Sequence, residues 1–138
     1  MIPVAGLLAT LVGAGYMVAP LSGQATTPTG DLTNAAVAEV RDVQGQVLLS
    51  GQFQVADEDD DVVERKAVLA STGVDADANG EAEVEFSKDS PAVQEVEFSV
   101  RNVSPGATFT FVIDGVAVAT ATADARGRAE VELDVRMP

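Results

Sequence analysis

The residues of this chain best suited to chemistry are oxygen ligands at alternating positions in one short stretch. Asp75, Asp77 and Asn79 offer oxygens at every second residue, as the opening of a calcium-binding loop does. Gly80 follows and suits a sharp turn, but Phe86 stands where that loop needs a bidentate Glu. We therefore expect a solvated turn here, with a calcium site at Asp75, Asp77 and Asn79 as the alternative.

The densest run of charge is DEDDD, at residues 57–61. Charge runs of this kind are usually solvated, and we expect an exposed loop between two strands. A cation site or a docking patch for a basic partner is the alternative.

The composition excludes several classes of function. The chain of 138 residues has no Cys, His or Trp, so disulfides, thiolate metal sites and Ser–His–Asp or Cys–His catalysis are impossible within it. The net charge of −14 leaves no basic footprint for nucleic acid. Such acidity suits solubility, divalent cations, basic partners or a salt-rich medium. We expect one domain that is not an enzyme and binds no cofactor apart from the calcium alternative.

The first 30 residues carry no charge. Residues 1–20 are predicted to form a hydrophobic helix between Pro3 and Pro20, about 25 Å long, which is the short end for a membrane span. We favour a transmembrane anchor, followed by a linker at residues 21–34 that mixes Pro, Thr, Ser and Gly. An apolar arm buried in an assembly and a secretory signal peptide without a basic start are the alternatives.

A stripe of small residues recurs along this segment. Ala5, Ala9 and Gly13 are spaced by four residues, which on a membrane helix allows another helix to approach closely. We predict a helix-packing interface at Ala5, Ala9 and Gly13, while the alternative is that Ala and Gly are simply common in membrane helices.

From residue 35 onward the sequence alternates between apolar and polar residues. The segment EAEVEF at 81–86 places Ala82, Val84 and Phe86 on one face and glutamates on the other, as a strand with one buried face does. Asn79-Gly80 and Asp114-Gly115 are hairpin signals. We predict about eight strands in an acidic antiparallel β-sandwich at residues 35–138, near 35–43, 46–55, 62–71, 81–87, 94–103, 107–113, 116–123 and 128–135.

One phrase of the sequence occurs twice. DADANGEAEVEF at 75–86 is closely similar to TADARGRAEVEL at 122–133, and DVQGQVLL at 42–49 is a weaker echo. Each reads as a turn followed by a strand, which a β-sandwich needs repeatedly. Convergence on this pattern and an internal duplication both remain open.

The segment GATFTFVIDGVAVATATADARGRAEVEL at 106–133 resembles a hairpin pattern of exported bacterial β-sandwich (Ig-like) domains. The resemblance implies an extracytoplasmic domain and transfers no catalytic or binding residue. We therefore expect a non-catalytic structural or accessory subunit, anchored in the membrane, that docks on other membrane-protein subunits through its N-terminal helix. A self-assembling surface-layer, filament or capsid-type protein with an inserted apolar arm is the alternative, and a calcium-dependent adhesion module is the second alternative.

Overall fold

The computed structural model describes residues 9–10, 17–19 and 29–138, and these residues form β-strands joined by turns. The strands are β1 (Ala9–Thr10), β2 (Met17–Ala19), β3 (Val37–Arg41), β4 (Val47–Glu58), β5 (Val62–Ser71), β6 (Asn79–Ser87), β7 (Val93–Arg101), β8 (Thr108–Ile113), β9 (Val116–Thr122) and β10 (Ala129–Arg136). Within the described ranges there is no helix long and apolar enough to cross a membrane.

The eight strands β3 to β10 form one nearly closed, barrel-like antiparallel sheet. Their order is β10-β7-β6-β5-β4-β3-β8-β9, with β1 beside β10 and β2 beside β9. The predicted mainly β fold with eight antiparallel strands is confirmed. The arrangement differs from the predicted Ig-like β-sandwich, which packs two sheets face to face, because the long strands β4 and β5 pair along their length and join the two halves into one sheet. A register irregularity between Val55 and Asp57 interrupts this pairing, and such bulges bend a sheet.

The predictions for residues 1–34 fall largely on residues outside the described ranges. Most of the predicted helix at residues 1–20 and most of the linker lie there, and the helix, the membrane anchor and the linker stay predictions; the described parts of residues 1–20 are the short strands β1 and β2. Of the predicted helix-packing interface, Ala5 and Gly13 are outside the described residues, whereas Ala9 lies in β1 opposite Leu133.

The inward-facing residues of the alternating pattern form one apolar core. Phe98 of β7 and Phe111 of β8 are fully buried, and their rings stack with centroids 4.8 Å apart. This contact joins two walls of the curved sheet that are distant in strand order. The core packing therefore follows from the period-two pattern, which alternates inward and outward residues along each strand.

The turns show which sequence signals specify the chain direction. Asp114 and Gly115 both have positive φ, 50° and 82°, as a two-residue hairpin turn requires, so this hairpin signal is confirmed. The Asp114 carboxylate also accepts the backbone N–H of Val37 at 2.8 Å. One turn residue thus fixes both its own hairpin and the start of β3.

Two of the three Asp-x-x-Gly segments, at residues 42–45 and 124–127, form turns of one geometry. The Asp124 carboxylate accepts the backbone N–H groups of Arg126 and Arg128 at 2.8 and 3.0 Å. Asp42 accepts the N–H groups of the residues two and four further on at 2.9 and 3.0 Å. Asp side chains stabilise tight turns by such local bonds, so the echo at residues 42–45 and the second copy of the repeated phrase are structurally equivalent turns.

The hairpin signal at Asn79-Gly80 is wrong, because Asn79 begins β6 and pairs with Arg101. The turn lies earlier, where the N–H of Ala78 donates to the carbonyl of Asp75 at 3.2 Å. Gly80 serves a different need, since a Cβ there would lie 2.3 Å from the Ser99 carbonyl oxygen. The glycine is therefore required for close approach of two strands rather than for a turn.

Candidate functional site

The outward face of strands β5, β6, β7 and β10 carries carboxylates that stand directly opposite one another. In one row across these strands, Glu64 pairs with Glu85, Glu85 with Glu95, and Glu95 with Asp134. Directly opposite residues in an antiparallel sheet have Cβ atoms about 5 Å apart, and like charges there are destabilising. Four successive carboxylates in register are therefore an arrangement that folding alone does not favour.

The next row is acidic except at one end. Lys66 pairs with Glu83, Glu83 with Glu97, and Glu97 with Glu132. The Nζ of Lys66 lies 3.8 Å from the Oε2 of Glu83. We call this surface the acidic face, and its carboxylates are Glu64, Glu81, Glu83, Glu85, Glu95, Glu97, Glu130, Glu132 and Asp134.

The repeated phrase builds much of this surface. Its two copies form β6 and β10, and both of these strands pair with β7, one on each side. Ala82 and Ala129, the matching residues of the two copies, are both buried, so the glutamates between the apolar positions point outward in both copies. The repetition therefore places two acidic strands around a third strand that is itself acidic.

Three carboxyls of the acidic face, those of Glu83, Glu95 and Glu97, have a raised pKa. For Glu97 the largest cause is partial burial, which removes water from the carboxylate, and the charges of Glu132 and Glu130 raise the pKa further. For Glu95 partial burial is again the largest cause of the raised pKa, and the charge of Glu132 is the next largest. The pKa of Glu83 is raised in the same way, with a counteracting effect from Lys66. The protonated forms of these carboxyls are therefore favoured relative to isolated glutamates.

One corner of the acidic face brings three carboxylates close together. Carboxylate oxygens of Glu64, Glu83 and Glu85 lie within 4.8 Å of one another. Oxygen ligands of this kind suit hard divalent cations, and the same charges suit the lysine or arginine side chains of a basic partner. Within the described ranges no other trio of acidic residues is gathered in this way.

The residues of the predicted calcium alternative lie in the loop between β5 and β6. The Asp75 carbonyl accepts the Ser71 hydroxyl at 2.6 Å, and the Asn79 amide donates to the Asp77 carbonyl at 3.4 Å. Calcium binding at Asp75, Asp77 and Asn79 stays a prediction, which titration with the metal tests.

The DEDDD run lies at the end of β4 and in the turn before β5. The Asp59 carboxylate accepts the N–H groups of Asp61 and Val62 at 2.8 and 2.7 Å, and the residues of the run are exposed. These N–H groups lower the pKa of Asp59. The expected exposure is confirmed, whereas the expected loop is limited to residues 59–61, because Asp57 and Glu58 belong to β4.

Two open clefts lie beside the turn between β3 and β4, and Val43 lines both of them. One has a volume of about 610 Å³ and is lined by Arg41, Asp42 and Thr110 among others. The other, of about 520 Å³, lies between Leu48 and Phe109. Val43 itself is 78% exposed. The walls of both clefts are formed mainly by apolar side chains and turn residues.

Sequence reasoning missed Gln94, which is fully buried. Its amide nitrogen donates to the carbonyls of Gly30 and Val135, both at 3.1 Å, and its amide oxygen accepts the N–H of Leu32. The alternation of β7 places residue 94 on the same inward face as Val96, so a polar residue at a core position was the available signal. Through these hydrogen bonds Gln94 holds the segment before β3 against the sheet.

Comparison of the chain with protein-family models, with curated proteins and with solved structures gives no match.

Proposed function

We propose that this chain is a non-catalytic structural or accessory subunit whose acidic face contacts a positively charged partner surface. The observation that carries the proposal is the register of the acidic face, in which Glu85, Glu95 and Asp134 stand in one row without a cation between them. A cationic partner relieves this repulsion on binding, so the unfavourable charge in the free domain becomes favourable electrostatics in the complex.

The wider proposal is that the subunit is membrane-anchored and extracytoplasmic. It is supported by the absence of charge in residues 1–30, which suits a hydrophobic anchor, and by the resemblance to exported Ig-like domains. In this arrangement the N-terminal helix docks on other membrane subunits, and the acidic domain lies against their basic surface outside the membrane.

A second candidate is a self-assembling structural protein with an inserted apolar arm. It is favoured by a specific observation: Ala9–Thr10 pairs with β10 and Met17–Ala19 pairs with β9. Strand addition at a sheet edge is a common mode of assembly. The calcium-dependent adhesion module is a third candidate. It requires a calcium-specific rise in melting temperature that is lost in Asp75→Ala with Asp77→Ala.

Extraction of the native full-length chain separates the first two candidates. A membrane-anchored subunit stays with the membrane pellet in high salt and alkaline carbonate and enters solution only with detergent. A self-assembling protein sediments as a polymer without lipid and does not dissolve in mild detergent. The anchored proposal fails if salt alone releases the chain from membranes.

A matched control shows whether residues 1–30 cause the retention. A variant that begins at Asp31 keeps β3 to β10 and the whole acidic face. We expect this variant to appear in the soluble fraction, because the apolar segment is the only uncharged stretch of that length in the sequence. Retention of the shortened variant in the membrane would assign binding to the β domain instead and would contradict the anchored proposal.

A further inference from the structure

The sheet has a seam where β9 and β10 face each other. On the side away from the seam, β9 pairs with β8 and β10 pairs with β7. In the described part of the chain β9 and β10 do not pair with each other. Unpaired strand edges present free N–H and C=O groups that accept another strand. The seam is therefore the place where this sheet takes up additional strands.

Two short pieces of the N-terminal segment lie in this seam. Thr10 is the Cα partner of Glu132 on β10, and Val18 is the Cα partner of Ala121 on β9. Both pairings are antiparallel, so the two pieces complete the alternation of strand directions around the sheet. Backbone pairing of this kind removes unpaired groups from both edges and from the added strands.

Gly30, which follows the N-terminal segment, is held at the same seam by hydrogen bonds. The N–H of Gly30 donates to the carbonyl of Arg136 at the end of β10, at 2.8 Å, and the buried amide of Gln94 donates to the Gly30 carbonyl. The point from which the N-terminal segment departs is thus fixed beside the strand edge. A tethered segment has a high effective concentration at a site so close to its anchor.

We propose that the seam is a storage site for the apolar N-terminal segment, which fills it in water and leaves it to enter a bilayer. The occupant is the chain's own segment, through Ala9–Thr10 on β10 and Met17–Ala19 on β9. The release step rests on the membrane anchor of the proposed function, whereas the seam placement does not. An apolar segment is costly to expose to water, and storage keeps the chain in solution until it meets a membrane.

The test uses the full chain, which has no native Cys. In Thr10→Cys with Glu132→Cys the two thiols stand on paired Cα positions, within the span of a disulfide. In the control, Thr10→Cys with Glu97→Cys, Glu97 lies one strand further away because it pairs with Glu132. The control separation is then about 10 Å, which is too far for a disulfide.

We expect mild oxidation with copper phenanthroline to cross-link the first variant within one chain and to leave the control reduced. In flotation with phosphatidylcholine vesicles, the cross-linked chain should remain at the bottom of the gradient. Reduction should restore flotation, and the control should float under both conditions. Neutral lipid avoids repulsion between the acidic domain and an anionic surface.

Failure of the seam placement is distinguishable from failure of the anchor. Absence of the intrachain disulfide, equal yield in the control, or a disulfide only between two copies overturns the seam placement. Flotation of the cross-linked chain to the same extent as the reduced chain overturns storage. If the disulfide forms and the reduced chain still does not float, the membrane anchor and the release step are both wrong.

Discussion

Neutralising Glu97 should stabilise the protein, because this residue lies between two carboxylates. Glu97 pairs with Glu83 on β6 and with Glu132 on β10. Two unit charges about 5 Å apart in water repel by about 0.8 kcal/mol, and salt at physiological strength reduces this by about half. With two such neighbours, Glu97→Gln should raise the free energy of unfolding by about 1 kcal/mol.

This change is measurable as a shift in melting temperature. For a domain of this size, 1 kcal/mol corresponds to a rise of about 4 °C, which circular dichroism at low ionic strength and at 150 mM salt resolves. The matched control is Asp89→Asn, which removes the same charge from an exposed loop position that has no strand partner. We expect the control to shift the melting temperature by less than about 1 °C.

Salt provides the second arm of the test. At 1 M salt the screening length falls to about 3 Å, so the advantage of Glu97→Gln should shrink to about a quarter of its low-salt value. The reasoning is refuted if Glu97→Gln stabilises no more than Asp89→Asn. It is also refuted if the gain is the same in 1 M salt, because the effect would then not be electrostatic.

The remaining predictions concern pH and two packing contacts. The raised pKa values on the acidic face mean that the folded state holds protons more tightly than the unfolded state, so stability rises as pH falls from 7 towards the ordinary glutamate pKa. The lowered pKa values of Asp31, Asp59 and Asp124 act oppositely and remove stability as the pH falls further. The melting temperature should therefore peak between about pH 4 and 5. A maximum at pH 7 or above would contradict this prediction. Gly80→Ala should lower the free energy of unfolding by about 2 kcal/mol or more, because its Cβ would clash with the Ser99 carbonyl. In the control Gly30→Ala the Cβ would lie 4.0 Å from its nearest neighbour, so this variant should be nearly neutral in denaturant unfolding. Gln94→Leu should lower the free energy of unfolding by about 3 kcal/mol, because it leaves buried backbone groups unpaired. An equal loss in the exposed control Gln52→Leu would refute this role of the Gln94 hydrogen bonds.

The strands were predictable because their signal is local. Alternation places Val84 inward and Glu83 outward whatever the partner strand is, and the observed bounds of β6, 79–87, lie close to the predicted 81–87. Asp114-Gly115 was predictable for the same reason, since positive φ at both residues is a property of the turn itself.

The closure of the sheet was not predictable from alternation, which gives each strand two faces but does not say which strands are neighbours. The strand order depends on pairing between β3 and β8 and between β7 and β10, and these strands are far apart in sequence. Asn79-Gly80 failed as a turn signal because the same dipeptide satisfies a close contact with Ser99. The dipeptide alone does not distinguish a turn from a close approach of two strands.

The acidic face could be predicted in part. The outward position of Glu81, Glu83 and Glu85 follows from the sequence of one strand, and the repeated phrase indicates a second strand of the same kind. Their gathering into rows requires β6 and β10 to flank β7, which is a matter of strand order. Gln94 left a weaker signal, as a polar residue in an inward position at the start of β7.

The proposal that the acidic face binds a positively charged partner is tested most directly by co-purification of the native complex with two charge-matched variants. The first variant is Glu85→Gln, Glu95→Gln and Asp134→Asn, which neutralises one row of the acidic face. The second is Asp60→Asn, Asp61→Asn and Asp89→Asn, which removes the same charge from exposed loop positions. In mild detergent at 150 mM salt we predict that the first variant loses its partner subunits and the second retains them as the unmodified chain does. Equal retention by both variants would contradict the proposal that the acidic face holds the partner.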